Sequence, residues 1–291
     1  MSSLDAYIMR TPSRFFDLEN DVESSRVVLL GFPYDSTSSF RVGSRFAPHS
    51  VRMYSTAIEG YSWELDREIG EAKLADAGDL ITVYGDTKET LRRLIQVVAD
   101  FNVKDKKVGV VGGEHTLTLA SVKGCSPRSI VVFDAHLDFR DEYPYGQKLS
   151  HATWLRRCYD ENAAEKIFPI GIRAVSKEEI GAAKEAGLSF LTFKQCREGK
   201  LKAVGDFLSV VSEPLYVSVD IDVLDPSTAP GVSNPEPLGF SLSELLDILW
   251  LLKGRKISGF DVVEVCPPYD NGSTCVAACK VLMDLSLLSL D

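Results

Sequence analysis

The strongest constraint on the fold is a series of short apolar runs, rich in Val, Ile and Phe, that hardly alternate with polar residues. They occupy residues 27–31, 108–112, 130–133, 167–170, 189–193, 215–219 and 257–265. Strands that are buried on both faces of a parallel sheet have this pattern, because helices cover both of their sides. The runs therefore predict the strands of a parallel sheet.

Longer amphipathic stretches separate these runs and predict helices. Residues 86–101 place their apolar side chains on one face, and residues 241–253 begin with Ser241 and Glu244, the spacing of a capping box. Alternating strands and helices are typical of an α/β fold with helices on both faces of the sheet. A closed eight-stranded barrel is the alternative architecture. Because the composition shows no break, we expect a single domain over residues 1–291.

The charge and hydropathy of the chain restrict its partners. The formal net charge of −10 argues against nucleic acid, whose phosphates need Lys and Arg, and against an anionic membrane surface. It permits a cationic small molecule. Residues 1–10 lack the apolar segment of a signal peptide, and residues 245–252, the most apolar stretch, are too short to span a membrane. We expect a cytoplasmic protein with no nucleic-acid or membrane partner.

Histidine and acidic side chains lie within or soon after four of the apolar runs. They are His115, Asp134, His136, Asp138, Asp220, Asp222 and Glu264. Ligands bind beyond the carboxyl ends of the strands in open α/β sheets, so these residues are expected at one edge. A single Asp at a strand end is usually a turn or helix cap. A whole group of carboxylates would repel each other unless cations neutralise them, and the set predicts a metal site.

The composition of this set indicates the kind of metal. Two His and four Asp side chains are too many for one tetrahedral zinc, and oxygen-rich sets suit Mn²⁺, with Mg²⁺, Co²⁺ or Fe²⁺ as substitutes. Two ions sharing carboxylates would acidify a bridging water. The residues therefore predict a binuclear metallohydrolase. A metallophosphatase is a rival class, but it would normally require more than the 4 His of this chain.

Three motifs resemble the signature segments of the ureohydrolases, the arginase and agmatinase family. They read Gly-Gly-Glu-His at 112–115, Asp-Ala-His-Leu-Asp at 134–138 and Ser-Val-Asp-Ile-Asp-Val-Leu-Asp-Pro at 218–226. Residues 31–35, 40–48, 150–153 and 261–270 also resemble family segments. The resemblance thus runs from about Gly31 to Asp270.

The resemblance implies a fold, a cofactor and a reaction. The fold is a three-layer α/β/α sandwich with an eight-stranded parallel sheet. The reaction is the hydrolysis of a guanidino group to urea and an amine, by a hydroxide that bridges two Mn²⁺ ions. By motif, one ion would be held by His115, Asp134, Asp138 and Asp220. The other would be held by Asp134, His136, Asp220 and Asp222, so that Asp134 and Asp220 bridge.

The same resemblance implies three catalytic residues. Glu264 would orient the flat guanidinium through paired charge-assisted hydrogen bonds. Asp138 would pass a proton to the leaving amine. His151 would move protons between bulk water and the site, with a pKa near its ordinary value.

The substrate is expected to be a small guanidino compound, with agmatine first, hydrolysed to putrescine and urea. The loop at 139–149 looks closer to the agmatinase version than to the arginase version. Its Asp141 and Glu142 suit an amine-ended substrate, or equally an ordinary surface turn, whereas Arg140 and Lys148 suit a carboxylate such as guanidinobutyrate. Arginine and then formiminoglutamate follow in our order of preference.

Two further expectations concern assembly and activity. Family members are commonly trimers or hexamers, so a homotrimer or homohexamer is expected. A non-enzymatic alternative is an inactive metal-binding partner protein. It would be expected to lose ligands, and all six are present.

Two departures from the family pattern bear on the site. Glu114 replaces the usual Asp before the first His, and its extra methylene would shift that ligand. The usual Gly-Thr-Gly-Thr-Pro loop reads Gly-Val-Ser-Asn-Pro at 231–235, near the expected substrate, so selectivity would differ.

Overall fold

The computed structural model of the protein describes residues 3–291. A nine-stranded sheet forms its centre, in the order β1-β5-β2-β6-β11-β10-β7-β8-β9, and β3 and β4 form a separate antiparallel pair. The strands are β1 (Ile8–Met9), β2 (Val27–Gly31), β3 (Tyr61–Ser62), β4 (Arg67–Glu68), β5 (Leu74–Leu80), β6 (Lys107–Val111), β7 (Ser129–Phe133), β8 (Lys166–Ile172), β9 (Leu191–Thr192), β10 (Leu215–Asp220) and β11 (Ile257–Val263).

The pairing within this sheet confirms the expected eight parallel strands. Every neighbouring pair from β5 to β9 is parallel, and the two-residue strand β1 adds an antiparallel edge beside β5. The sheet is open, with β1 and β9 at its edges. The alternative of a closed barrel is therefore wrong.

Helices cover both faces of the sheet. They are α1 (Ser3–Tyr7), α2 (Ala47–Ser55), α3 (Thr87–Val103), α4 (Leu117–Cys125), α5 (Trp154–Asp160), α6 (Lys177–Glu185), α7 (Phe193–Leu208), α8 (Leu242–Leu249) and α9 (Ser273–Leu288). The core divides into two clusters: one contains buried residues of α2, α7, α8 and α9, and the other contains those of α3, α4, α5 and α6. Successive strand residues alternate between them, with Val27 and Leu29 in the first and Val28 and Leu30 in the second. The fold is the expected three-layer α/β/α sandwich.

Local signals placed the two predicted helices correctly. Asp86 caps α3 by accepting a hydrogen bond from the backbone of Glu89, at 2.9 Å. Ser241 and Glu244 form the predicted capping box of α8. The strand predicted at 189–193 is shorter than expected. Only Leu191–Thr192 pair with the sheet, because Thr192 caps α7, which already begins at the next residue.

Strand β5 is absent from the apolar runs, and a buried ion cluster explains why. Its sequence, Leu-Ala-Asp-Ala-Gly-Asp-Leu, carries two acidic residues. Both Asp76 and Asp79 pair with the guanidinium of Arg52, at 2.7 and 2.6 Å, and Arg52 is 1% exposed. A strand with internal carboxylates is stable here because α2 supplies this cation.

None of the helices described within residues 3–291 combines the length and the hydrophobicity that a membrane span requires.

Candidate active site

Four adjacent strands, β6, β11, β10 and β7, bring the predicted metal ligands and Glu264 to one edge of the sheet. His115 follows β6 through a sharp turn in which Gly112 and Gly113 have φ values of 76° and 80°. A Cβ on Gly113 would lie 2.4 Å from the carbonyl oxygen of Phe32. Only glycine fits this turn, because it lacks a side chain and adopts positive φ at little cost.

The first group of ligand atoms surrounds His115. Its Nδ1 lies 3.2 Å from Oδ2 of Asp134, 3.4 Å from Oδ2 of Asp138 and 3.1 Å from Oδ2 of Asp220. All four residues are buried. Burial raises the pKa of Asp220 well above its ordinary value, and the charges of Asp222 and Asp134 raise it further. The Asp220 carboxylate is thus short of positive charge.

The second group surrounds His136 and shares one carboxylate with the first. His136 Nδ1 lies 2.9 Å from Oδ2 of Asp222 and 3.7 Å from Oδ1 of Asp134. Asp134 therefore presents one oxygen to each histidine. Asp220 belongs to the first group only, and its Oδ1 accepts the backbone N–H of Asp222 at 2.8 Å. Of the two carboxylates expected to bridge, the structure brings Asp134 into both groups, and bridging by Asp220 stays a prediction.

A buried hydrogen-bonded chain sets the orientation of His115. Ser218 Oγ donates to Oδ1 of Asp261 at 2.6 Å, and His115 Nε2 lies 2.9 Å from the same Ser218 oxygen. Because serine has one hydroxyl hydrogen, Ser218 must accept from Nε2–H. His115 Nδ1 is then left with a lone pair. It is buried without a hydrogen-bond partner, as is Oδ2 of Asp134, and this arrangement fits a bound cation.

Trp154 is a part of this site that sequence reasoning missed. Its Nε1 donates to Oδ2 of Asp138 at 2.9 Å, and its ring lies 4.5 Å from that of His115. Asp138 has a positive φ of 49°, an uncommon conformation for a non-glycine residue that often marks functional sites. Burial, together with the charge of Asp134, raises the pKa of Asp138 to about 6. The position of Trp154, directly after the motif at 150–153, was the only signal for it.

Glu264 lies beside this group, just after β11, with a φ of 64°. Its Oε1 accepts the backbone N–H of His115 at 2.7 Å, and its Oε2 is buried without a hydrogen-bond partner. Burial raises the pKa of Glu264 to about 8. A cationic ligand in the neighbouring cavity would supply the missing partner and would favour the ionised carboxylate over the protonated form.

His151 lies in the loop before α5 and lines the same cavity as the strand-end residues. Its Nδ1 lies 3.4 Å from Oγ1 of Thr37 and its Nε2 lies 3.2 Å from Oγ of Ser39. The pKa of His151 is lowered to about 4, and burial is the largest cause. The expectation that His151 titrates near its ordinary pKa is therefore wrong, and its imidazole is neutral at pH 7.

A cavity of about 530 Å³ opens onto these groups. Every predicted site residue except the fully buried Asp134 lines it. Its other walls include Phe40, Arg140, Arg173 and Glu236. A larger cavity, of about 740 Å³, is lined by residues of the N-terminal segment and β5 and by none of the predicted site residues. The chemistry therefore belongs to the smaller one.

The loop residues considered for the substrate tail fall into two groups. Asp141 accepts from Arg157 at 2.7 Å and pairs with Lys148 at 3.3 Å, and neither Asp141 nor Glu142 lines the cavity. These contacts favour the surface-turn interpretation. Arg140 does line the cavity, where it lies over the ring of Tyr143 at 4.7 Å.

The two departures from the family pattern lie at the same site. Asn234 and Pro235 of the 231–235 loop line the cavity, as expected of a loop that bears on selectivity. Glu114 is fully buried and turns towards Thr37 and Thr116, whose hydroxyls donate to it at 2.7 and 2.6 Å. Its longer side chain thus reaches groups away from the metal-ligand atoms.

The chain is similar to known proteins over most of its length. The sequence model described as "Arginase family" matches residues 25–288. The agmatinase of Pyrococcus horikoshii is 36% identical over 275 residues, which cover 92% of this chain and 95% of that protein. The proclavaminate amidino hydrolase structure from Streptomyces clavuligerus has a TM-score of 0.89 at 30% identity, covering 96% and 97% of the two chains. The agmatine ureohydrolase structure of Thermoplasma volcanium has a TM-score of 0.87 at 32% identity, covering 97% and 95%.

Proposed function

Since this chain belongs to the arginase family and is an agmatinase-type ureohydrolase, we propose that it hydrolyses agmatine to putrescine and urea with two bound Mn²⁺ ions. The observation that carries the proposal is the pair of ligand groups that share Asp134 at the cavity. Each group combines one histidine with carboxylates, the donor set that Mn²⁺ prefers. The agmatinase names of the relatives support agmatine as the substrate.

The ligand groups fit two divalent cations. His115 Nδ1 and Asp134 Oδ2 are buried, lack hydrogen-bond partners and lie 3.2 Å apart, so a shared cation would satisfy both. One ion would be held by His115, Asp134, Asp138 and Asp220, and the other by Asp134, His136, Asp220 and Asp222. When bound, such a pair of ions supplies a strongly acidified water as the nucleophile near neutral pH.

Glu264 provides the site for the guanidinium group. Its Oε1 is held by the backbone of His115, so its free Oε2 has a fixed direction. A guanidinium is planar and offers only N–H donors, and a carboxylate accepts them through charge-assisted hydrogen bonds. This contact would hold the central carbon next to the ligand groups.

Asp138 and His151 handle protons. The leaving amine departs only if it is protonated, and Asp138, which lies among the ligand groups and lines the cavity, is placed to pass that proton. Trp154 holds the Oδ2 oxygen of Asp138, which leaves Oδ1 for this transfer. His151 lies at the cavity as a neutral imidazole and can accept protons there.

Two charged residues of the cavity wall bear on the choice of substrate. Glu236, whose Oε1 lies 3.6 Å from Nε2 of His136, offers a carboxylate to the ammonium group of agmatine. Arg140 also lines it, and its cation favours guanidinobutyrate, which ends in a carboxylate. Arg140 Nε lies 3.5 Å from Glu179, which offsets much of its charge, so agmatine remains the first choice.

A substrate panel tests this proposal. Metal-stripped protein, reloaded with Mn²⁺, is given agmatine, guanidinobutyrate or arginine at equal concentration, and urea is measured. We expect most urea from agmatine, no urea after chelation, and at least about a 100-fold loss for Glu264→Gln. If none of the compounds yields urea, the proposed enzymatic activity is refuted, and the alternative of an inactive metal-binding partner protein is favoured.

Further features stay predictions within this proposal. We propose a single domain over residues 1–291, assembly as a homotrimer or homohexamer, and a cytoplasmic location. Light scattering of the purified protein measures the subunit count. A monomer at micromolar concentration would contradict the assembly.

A further inference from the structure

A buried chain of hydrogen bonds runs from Glu114 through Thr37 to His151. Glu114 is 0% exposed and accepts three hydrogen bonds. Its Oε2 accepts the backbone N–H of Thr37 at 2.7 Å, and its Oε1 accepts the hydroxyls of Thr37, at 2.7 Å, and Thr116, at 2.6 Å. Since all these partners approach as donors, the geometry is that of a carboxylate acceptor.

The direction of the single hydroxyl hydrogen of Thr37 determines whether Thr37 donates a hydrogen bond to His151 or accepts one from it. The hydrogen points to Glu114, at 2.7 Å, because a hydrogen bond to a carboxylate is stronger than the longer contact of 3.4 Å to His151 Nδ1. The backbone N–H of His151 donates to the same Thr37 oxygen at 3.0 Å. Thr37 therefore presents only lone pairs to His151, and the Nδ1 atom facing it must carry the hydrogen.

We propose that Glu114, acting through Thr37, fixes His151 as the tautomer with its hydrogen on Nδ1, so that Nε2 is an acceptor at the cavity. Glu114 and Thr37 are then positioning residues. Nε2 lies 3.2 Å from Oγ of Ser39, an exposed residue that also lines the cavity. The Ser39 hydroxyl rotates freely, and it can donate to Nε2 or turn away for another donor.

The choice of tautomer matters for the substrate, and this consequence rests on the proposed function. A guanidinium or ammonium group offers only donors. An acceptor nitrogen at the cavity matches such a group and can take up a proton, whereas an Nε2–H would face it with a second donor. The hydrogen bonds of Glu114 thus select the basic nitrogen that reaches the cavity.

Nitrogen-15 NMR of histidine-labelled protein measures the tautomer directly, with Mg²⁺ in place of paramagnetic Mn²⁺. The chain has only 4 His, and comparison with His151→Gln assigns the signals of His151. We expect a protonated Nδ1 and an unprotonated Nε2 in the unmutated protein. The opposite pattern would overturn the inference without any variant.

Glu114→Gln provides the sharper test. The amide oxygen must stay with the backbone N–H of Thr37, so the NH₂ group faces the Thr37 hydroxyl and donates to it. Thr37 then turns its hydrogen to Nδ1, and the tautomer of His151 reverses. We expect this reversal together with about a 100-fold loss of kcat/KM.

Matched variants separate positioning from general damage. Thr37→Ser keeps the hydroxyl and should keep the original tautomer, whereas Thr37→Val removes it and should give a mixture of both. Glu244→Gln makes the same chemical change at the cap of α8, where Glu244 contacts Ser241, and should leave the tautomer unchanged.

The outcomes distinguish this inference from the proposed function. If folded Glu114→Gln keeps the original tautomer, Glu114 does not position His151, whatever the activity. If Glu114→Gln does not fold, the spectra of the unmutated protein and of Thr37→Val still decide. If the unmutated protein releases no urea, the proposed function is refuted, but the NMR result still tests the inference about the tautomer of His151.

Discussion

Removing the Ser218 hydroxyl tests whether the second layer of the site controls metal affinity. Ser218 links His115 Nε2, at 2.9 Å, to the buried carboxylate of Asp261, at 2.6 Å. In Ser218→Ala, the Nε2–H loses its acceptor, and nothing selects the tautomer that leaves the Nδ1 lone pair for a cation. Asp261 keeps the hydroxyls of Tyr216 and Thr118, at 2.7 and 2.8 Å.

The magnitude follows from these contacts. Loss of a group that orients a metal-binding histidine typically costs about 10- to 100-fold in metal affinity. That range corresponds to about 1.4–2.7 kcal/mol of binding free energy. The metal-free protein should lose about 1–3 kcal/mol of stability, because one buried N–H becomes unsatisfied.

Isothermal titration of metal-stripped protein with Mn²⁺ measures the affinity, and urea denaturation measures the stability. Thr118→Val is the matched control, since it also removes a hydroxyl donor from Asp261 but leaves the bond to His115 in place. We expect this control to lose stability and to bind Mn²⁺ normally. If Ser218→Ala binds Mn²⁺ as tightly as the unmutated protein, the reasoning about His115 is refuted.

Three other predictions follow from buried charges and contacts. Arg52→Met should lower the free energy of unfolding by about 3–5 kcal/mol, because it leaves Asp76 and Asp79 buried without their cation. Urea denaturation measures this, and an unchanged midpoint would contradict the expectation. The pKa of Asp138 is raised to about 6, so its contribution to the stability of the metal-free protein is full below about pH 4 and is lost as pH rises through 6. Thermal melts with and without Mn²⁺ should therefore diverge between about pH 4 and pH 6 and stay apart above pH 6, and curves that run parallel from pH 4 to pH 6 would count against the site. Trp154→Phe keeps the ring beside His115 but removes the bond to Asp138, and should lower kcat about 10-fold with little change in melting temperature.

Much of the site could be predicted because its residues sit directly at strand ends. Parallel strands in one sheet carry their carboxyl ends to one edge, so His115, Asp134 and Asp220 had to meet if their strands were neighbours. The pattern of apolar runs likewise predicted the parallel sheet and its two helical layers. The apolar runs and the residues that follow them were therefore enough to predict the sheet and the edge at which the ligands lie.

The apolar pattern alone left other features open. It missed β5, whose two carboxylates are stable within a sheet only because Arg52 packs against them from α2. It also gave no indication that Asp141 forms ion pairs with Arg157 and Lys148 and does not line the cavity.

The fold class and the set of candidate ligands follow from the amino-acid order, since hydrophobic periodicity and strand-end chemistry are local properties of a chain. Contacts between distant residues set which ring nitrogen of His115 and, by our inference, of His151 carries the hydrogen. His115 depends on Ser218, and His151 on Thr37, each more than a hundred residues away in the chain. A hydroxyl has one hydrogen to give, and the partner it gives that hydrogen to is fixed by packing between distant strands and loops.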